Sequence, residues 1–524
     1  MQFLRKHAFL SCFGALVAAH VLLVGSLRLY PFIDLPNHLA AATIYRYYGQ
    51  PGVHFSSFYA VDVFLKPNVL HLLFCGSPIL PSVELANKLF YCLYVALLPL
   101  SVYLLVKRFR GNHWLSLLSL LLLYHHSVTW GFSGQSMSTP LVLLLVYFAL
   151  DPRGDRVWSK VATGATLLLL FFTHVQSTLF ALLLLFLLLL HRHRRSLRLL
   201  LRDSIVTVPT LVLILAWRTS EEYGGPSILA YMLRYYQGQY WAEFPWRVIL
   251  LYQDNSQLFP GRLGLFLGLF FSFMILVPVS FFLILRRKEF LRDLQSERIA
   301  APYILVFASL ICCLVLPSSI TGRRVDLVWI ALNIYQRMGV FFFLFLVVLG
   351  AVLAPIHLKT ATVTAICVVC VIHFALWFDY LRDFQHENVH FTERAFPEDA
   401  PNGFLAGLIY DADYRGRIVY VHFPNYHVVW NRGVTVNDFI DNRFFAVTRR
   451  ASEEELPRYN DWVAFGGHYD GQYRNAKHIL VKGNIPESDL ANMAGFRLAK
   501  SQGEWTLYQN VDRRVEREIQ GNQP

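Results

Sequence analysis

"HAFLSCFGALVAAHVLLVGSLRLYPFIDLPNHLAAATIYRYY", residues 7–48, decides how the rest of the chain is read. Its first half is an apolar run of membrane-crossing length, for which about 20 residues suffice. Its second half leaves that run and within five positions presents Asp34, Asn37 and His38. The opening residues look like a cleavable leader, but more apolar runs follow, so the run reads as a retained first span.

Working outward, the 524 residues are 55% hydrophobic and 16% charged, with positive mean hydropathy, outside the soluble balance. Candidate spans fall at 8–28, 85–106, 113–128, 138–150, 158–173, 176–190, 203–217, 262–285, 301–317, 337–355 and 360–379. With the N-terminus inside, "LRKH", "KRFRGN", "DPRGDRVWSK", "HRHRRSLRLLLR", "RRKEFLRDLQSER" and "HLK" become cytosolic, and these short pieces carry 19 of the 30 Lys and Arg of the membrane part. The positive-inside rule is satisfied by that threading. It puts three long loops outside, 29–84, 218–261 and 318–336, together with everything after residue 380. The expected fold is a polytopic α-helical membrane protein of about eleven transmembrane helices, domain 1–380, followed by an extracytoplasmic α/β or α+β domain, 381–524.

The C-terminal domain holds 17 basic and 20 acidic residues, so the net +12 belongs to the membrane part. A nucleic-acid partner is therefore not expected. All seven cysteines lie in apolar or membrane-adjacent segments, which offers no disulfide framework or metal site, and Cys367-Val-Val-Cys370 sits inside a span.

In the first outer loop two helices are expected, Pro36 to Tyr48 and Pro67 to Leu80. Asp34 precedes Leu35-Pro36, the pattern of an N-cap, and a helix N-terminus favours negative charge. His38 lies one turn further on. Asp34 thus reads as a cap, or as a carboxylate that accepts a hydroxyl proton, or as both. Loop 218–261 is rich in Tyr, Trp and Phe, which fits an interfacial aromatic belt or a platform for sugar rings or an isoprenoid.

A charged N-terminus, one span, a long outer loop opening on the acid of "DLPNH", many further spans with short inner loops and an outer C-terminal domain resemble the C-type (GT-C fold) glycosyltransferase superfamily. The resemblance implies transfer of a sugar from a polyprenyl-phosphate donor to a lipid or glycan acceptor on the non-cytoplasmic face, with inversion. It implies Asp34 alone as general base; His38 is a second catalytic candidate by its place one turn along the helix, and the absence of outer cysteines with the compact loops points to a bacterial inner membrane, whose lipids also contact the chain. Leu35 follows Asp34, so the paired acids of some members are missing, and neither a metal nor another cofactor is expected; a divalent cation would need more oxygen ligands.

A departing lipid phosphate calls for positive charge, and the guanidinium fork suits it. Arg337, Arg324 (with Arg323) and Lys66 (with Arg46) are the candidates, each with solvation or snorkelling as its plainer role. Asp62 is a further acid of the first loop, and His174 with Gln176 could line a cavity or hydrogen-bond between helices. Strands are expected at 416–423, 427–430, 461–467, 478–483, 496–501 and 504–510, and short helices in "SEEELPRYN" and "PESDLANMAG". In the segment "HFPNYHVVWNRGVTVNDF", His422, Asn425, Tyr426, His427, Trp430 and Asn431 form either a sugar-binding edge or packed core. A polysaccharide ligase or polymerase, or a lipid-linked sugar flippase or transporter, are the competing functions. The spans contain almost no charged residues, which argues against coupled transport.

Overall fold

The computed structural model describes residues 2–151, 157–219, 239–240, 247–248, 266, 268, 297–317, 319–324, 327–331, 334–354, 356–397, 404–436, 440, 445–452, 454–459 and 462–511. The span expected at 262–285, most of the aromatic loop 218–261 and the charged terminus after Val511 lie outside them. The chain divides into two compact units. One comprises Met1–Ser26, Tyr91–Val128 and Phe132–Phe378, the other Leu27–Phe90, Thr129–Gly131 and Asp379–Pro524. The first long loop therefore groups with the C-terminal segment, not with the helices that flank it in sequence.

Helices run α1 Gln2–Ser26, α2 Leu35–Tyr47, α3 Leu70–Gly76, α4 Val83–Arg108, α5 Ser133–Ala149, α6 Val157–Thr173, α7 Val175–Arg192, α8 Ile334–Leu353, α9 Thr360–Glu387 and α10 Tyr426–Asn431, with others between. The chain is mostly helical. Among the described residues six helices are long and apolar enough to cross a membrane: His7–Ser26, Val83–Arg108, Val175–Arg192, Leu197–Trp217, Ile334–Leu353 and Thr360–Glu387. Leu-rich composition explains α7, which His174 caps by accepting from the Ser177 N–H and which ends on His191 and Arg192 against its negative end.

The run expected as one span over 113–128 forms instead a 3-10 helix, His113–Leu122, followed by a short α-helix, His126–Thr129. Ser116 and Ser119 donate to the carbonyls three residues back, each at 2.6 Å, a side-chain pattern that accompanies the tighter winding. At a rise of about 2.0 Å per residue the 3-10 segment reaches about 20 Å. Leu117 to Leu122 are all buried, so tertiary packing against α8 holds a conformation that is uncommon at this length.

Helices α1 and α9 run side by side in the same direction. Cys12 Sγ lies 3.6 Å from Cys367 Sγ, and one to two turns later the His20 ring meets Phe374 edge-on at 5.0 Å. Advancing eight residues on α1 matches seven on α9, which only a parallel pair produces.

In the second unit, besides the two-residue hairpin strands Asp413–Tyr414 and Arg417–Ile418, the strands are β1 Tyr59–Val61, β2 Phe404–Ile409, β3 Val434–Thr435, β4 Val447–Arg449, β5 His478–Lys482, β6 Phe496–Gln502 and β7 Trp505–Asn510. Five form a mixed sheet in the order β6-β7-β5-β2-β3, with β2 parallel to β5 and β3, and β7 antiparallel to β5 and β6. Central β2 is buried at every residue. The first loop enters this unit through β1, which pairs antiparallel with β4, Tyr59 opposite Arg449 and Val61 opposite Val447.

Strands expected at 478–483, 496–501 and 504–510 are present. Those expected at 416–423, 427–430 and 461–467 are not: after the two-residue strand Arg417–Ile418 the chain forms a 3-10 helix, Tyr420–Asn425, then α10, and Trp462–Phe465 is also 3-10. The β-branched and aromatic residues that suggested pleated strands pack here around Phe391 and Trp505. Burial outweighed local propensity.

Candidate functional site

Leu35–Tyr47 starts as the Pro36 signal predicts, and Asp34 stands at the N-cap position. Its side chain makes no capping bond, however. The backbone of Asp34 is already helical, φ −86° and ψ −6°, whereas a capping carboxylate needs extended backbone to reach back to the first turn. There is also little to cap: Pro36 has no N–H, and the Leu35 N–H donates to the Phe32 carbonyl at 3.2 Å.

Main chain fixes this corner instead. The Asp34 N–H donates to the Trp130 carbonyl at 2.9 Å, and the Asp34 carbonyl accepts from the His38 N–H at 3.2 Å. Gly131 lies against it at φ +81°, where a Cβ would stand 2.6 Å from the Leu35 nitrogen and 2.8 Å from that of Asp34. Only glycine permits that approach.

Released from the helix, the carboxylate of Asp34 places Oδ1 3.2 Å from His422 Nε2, with the side chains 15% and 6% exposed respectively. One turn along α2, Asn37 Oδ1 accepts from Asn425 Nδ2. Positions 34 and 37 share one face of the first turn of α2. Positions 422 and 425 share a face of the 3-10 helix, whose residues eclipse every three. The result is a ladder of two rungs. Behind the second rung Thr435 Oγ1 donates to Asn425 Oδ1 at 2.6 Å, and the Tyr59 hydroxyl donates to the Thr435 carbonyl at 2.9 Å while accepting its N–H at 3.2 Å. Asn37, Asn425, Thr435 and Tyr59 are all buried, so these bonds form in a low-dielectric interior, where they are specific and leaving one unmade is costly.

His38 turns elsewhere: its ring meets that of His71 edge-on, 5.6 Å between centroids. His71 is buried between Asn87 Oδ1 at 3.0 Å, Cys75 Sγ at 3.4 Å and the Phe90 ring. Burial, partly offset by the Asn87 bond, pushes its imidazole down to about 4. Lys66 pairs with Asp62 at 3.3 Å and donates to the Phe445 carbonyl at 3.5 Å, tying the loop to the residues before β4. Its charge is thereby engaged.

Tyr426 and His427, expected on a sugar-binding edge, are buried on α10. Tyr426 stacks on Trp430 at 4.7 Å and His427 on Phe396 at 5.4 Å. Gly433 leaves the room that His427 fills, since a Cβ there would be 1.9 Å from its Nε2. Burial, with His478 adding to it, pushes His427 down to about 3. Both serve the aromatic core. Trp430 reaches an open cleft of about 460 Å³ lined by Arg28, Glu84, His390, Glu393 and Gln502, where its indole donates to Glu84 Oε1 at 2.7 Å. Glu84 drew no attention in the sequence, because nothing local pairs it with a tryptophan 346 positions away.

In the other unit Arg337 and His174 come into one polar cluster at the N-terminal ends of α5, α7 and α8. The Arg337 guanidinium lies 3.8 Å over the Phe132 ring, and its carbonyl accepts from Gln135 Nε2 at 3.4 Å. Ser177 donates to Gln135 Oε1 at 3.0 Å, Ser138 to Ser177 at 2.6 Å, and Gln176 to the Ile334 carbonyl at 3.1 Å. These are interhelical bonds of the kind that join apolar helices. Arg324 falls on the strand Ser319–Arg324, and its side chain lies outside the described residues.

Among the described residues no three His, Cys, Asp or Glu side chains gather as a metal site. Compared with known proteins, the chain matches no family model and no curated sequence.

Proposed function

We propose that the chain is an integral membrane glycosyltransferase that moves a sugar from a polyprenyl-phosphate carrier to a lipid or glycan hydroxyl, with Asp34 as general base. The acceptor O–H proton passes to the Asp34 carboxylate as its oxygen bonds to the anomeric carbon from the face opposite the leaving group. The C1–O bond to the carrier breaks, and its electron pair leaves on the lipid phosphate, so configuration inverts. Such proton transfer typically contributes 10²- to 10⁴-fold.

The observation that carries the reading is that Asp34 occupies a helix start without capping it: its carboxylate is partly open and stands 3.2 Å from His422 Nε2. The parallel pairing of α1 and α9 supports the proposed topology. If both cross, an odd number of crossings separates their starts from the C-terminal segment, as the threading with eleven spans has. By the positive-inside threading we take the N-terminus as cytoplasmic and the C-terminal segment as extracytoplasmic, where a flipped lipid-linked sugar would be available.

The test is to incubate purified Asp34→Asn and wild-type protein in liposomes with synthetic polyprenyl-phosphate hexoses and pentoses and an envelope lipid extract. Mass spectrometry should find glycosylated acceptor with the wild type and a loss of at least about 100-fold with the variant. An inserted, folded Asp34→Asn protein that transfers at the wild-type rate refutes the assignment.

A further inference from the structure

We infer that His422 is a positioning residue for Asp34, and that its protonation state gates the carboxylate's use as a base. The inference rests on the reading of Asp34 as general base. Three observations support it. His422 Nε2 lies 3.2 Å from Asp34 Oδ1, so the neutral ring must carry its hydrogen on Nε2 to donate there. The rung beside it, Asn37 to Asn425, is fully buried and fixes the separation of the two backbones. The ring itself is held against Tyr459, centroids 5.4 Å apart, and the Tyr459 hydroxyl donates to the carbonyl of Val421, next to His422 in the chain.

A carboxylate with one oxygen held by a neutral N–H donor keeps its direction and most of its basicity. Protonating the imidazole changes that bond into an ion pair, which stabilises the carboxylate and makes it a poorer proton acceptor. Among the described contacts, Asp34 from the start of α2 and Tyr459 from the loop before the second 3-10 turn face His422. The Asp34 carboxylate favours the imidazolium. Raising the pH, which removes the imidazolium proton, therefore opens the gate.

Two readouts on the full-length protein in liposomes test this. The first is the pH dependence of transfer from synthetic polyprenyl-phosphate sugars by wild type, His422→Gln and His422→Phe. The second, which needs no substrate, is labelling of Asp34 by dicyclohexylcarbodiimide, a reagent for protonated carboxyls, followed by peptide mass spectrometry across pH. The expected wild-type rate rises with pH along a limb that is missing in His422→Gln, which keeps an N–H donor but cannot titrate. His422→Phe should lose the plateau rate by on the order of ten- to a hundred-fold, and its Asp34 should be labelled up to a higher pH than the wild type's. A limb shared by all three proteins, or labelling that is the same in wild type and His422→Phe, overturns the inference. Shifted labelling without transfer by any form supports the positioning role and removes the proposed function alone.

Discussion

Asn425→Ala should unfold the second unit's architecture from its centre. The Asn425 amide donates to Asn37 Oδ1 and accepts from Thr435 Oγ1, and all three residues are buried. Truncation removes one partner from each of two groups that water cannot reach, at about 1–3 kcal/mol apiece, so about 2–6 kcal/mol in all. For a unit of roughly 200 residues, at about 2–4 °C per kcal/mol, the unfolding midpoint should fall by about 4–24 °C. Trp430 and Trp505 belong to this unit and make intrinsic fluorescence in detergent a suitable assay. Asn37→Ala/Asn425→Ala should be less unstable than the two single losses added, by about 1–2 kcal/mol. A midpoint for Asn425→Ala indistinguishable from the wild type, or strict additivity in the cycle, would refute the claim that loop and C-terminal segment share one hydrogen-bonded core.

Copper-phenanthroline oxidation should join Cys12 to Cys367, two thiols giving up two protons and two electrons to the copper oxidant, and peptide mass spectrometry should recover that pair. Its absence while other thiols oxidise would contradict the parallel packing of α1 and α9. Acid should weaken the second unit through His427, whose proton affinity burial lowers to about 3 when folded against about 6.5 unfolded. Between those values the unfolded chain binds more protons, so stability falls as pH drops below about 6.5, by about 2 kcal/mol at pH 5 for this group. His427→Gln should flatten that part of the pH–stability curve, and thermal unfolding at pH 5 and 7 measures it.

Much of this was legible in order of residues. The apolar runs announce the long helices, Pro36 marks the start of α2 to within a residue, and alternation finds β5, β6 and β7. What failed has physical causes. "FLAGLI" at β2 is a parallel strand buried on both faces, so it lacks the polar alternation that reveals a strand. "GRIVYVHF" and "HVVW" have strand composition, yet Pro424 and packing on Phe391 and Trp505 wind them into helical turns. For the site, the sequence pointed to Asp34 but assigned its orientation to a cap. His422 was noticed only as one of several residues suited to sugars, because its partner lies 388 positions earlier, and no local pattern encodes such a pairing.

That separation has a consequence for how the protein is made. His422 and Asn425 are translated 388 residues after Asp34 and Asn37, so the carboxylate and the groups beside it leave the ribosome far apart in time. Until His422 and Asn425 arrive, α2 has neither rung of its ladder and β1 has no partner strand. A nascent or truncated chain, although already inserted through its early helices, would hold its carboxylate undirected. Order around Asp34 is thus tied to synthesis of the segment that carries His422 and Asn425, and supplying that segment as a separate polypeptide becomes a way to restore it in a chain that is already in place.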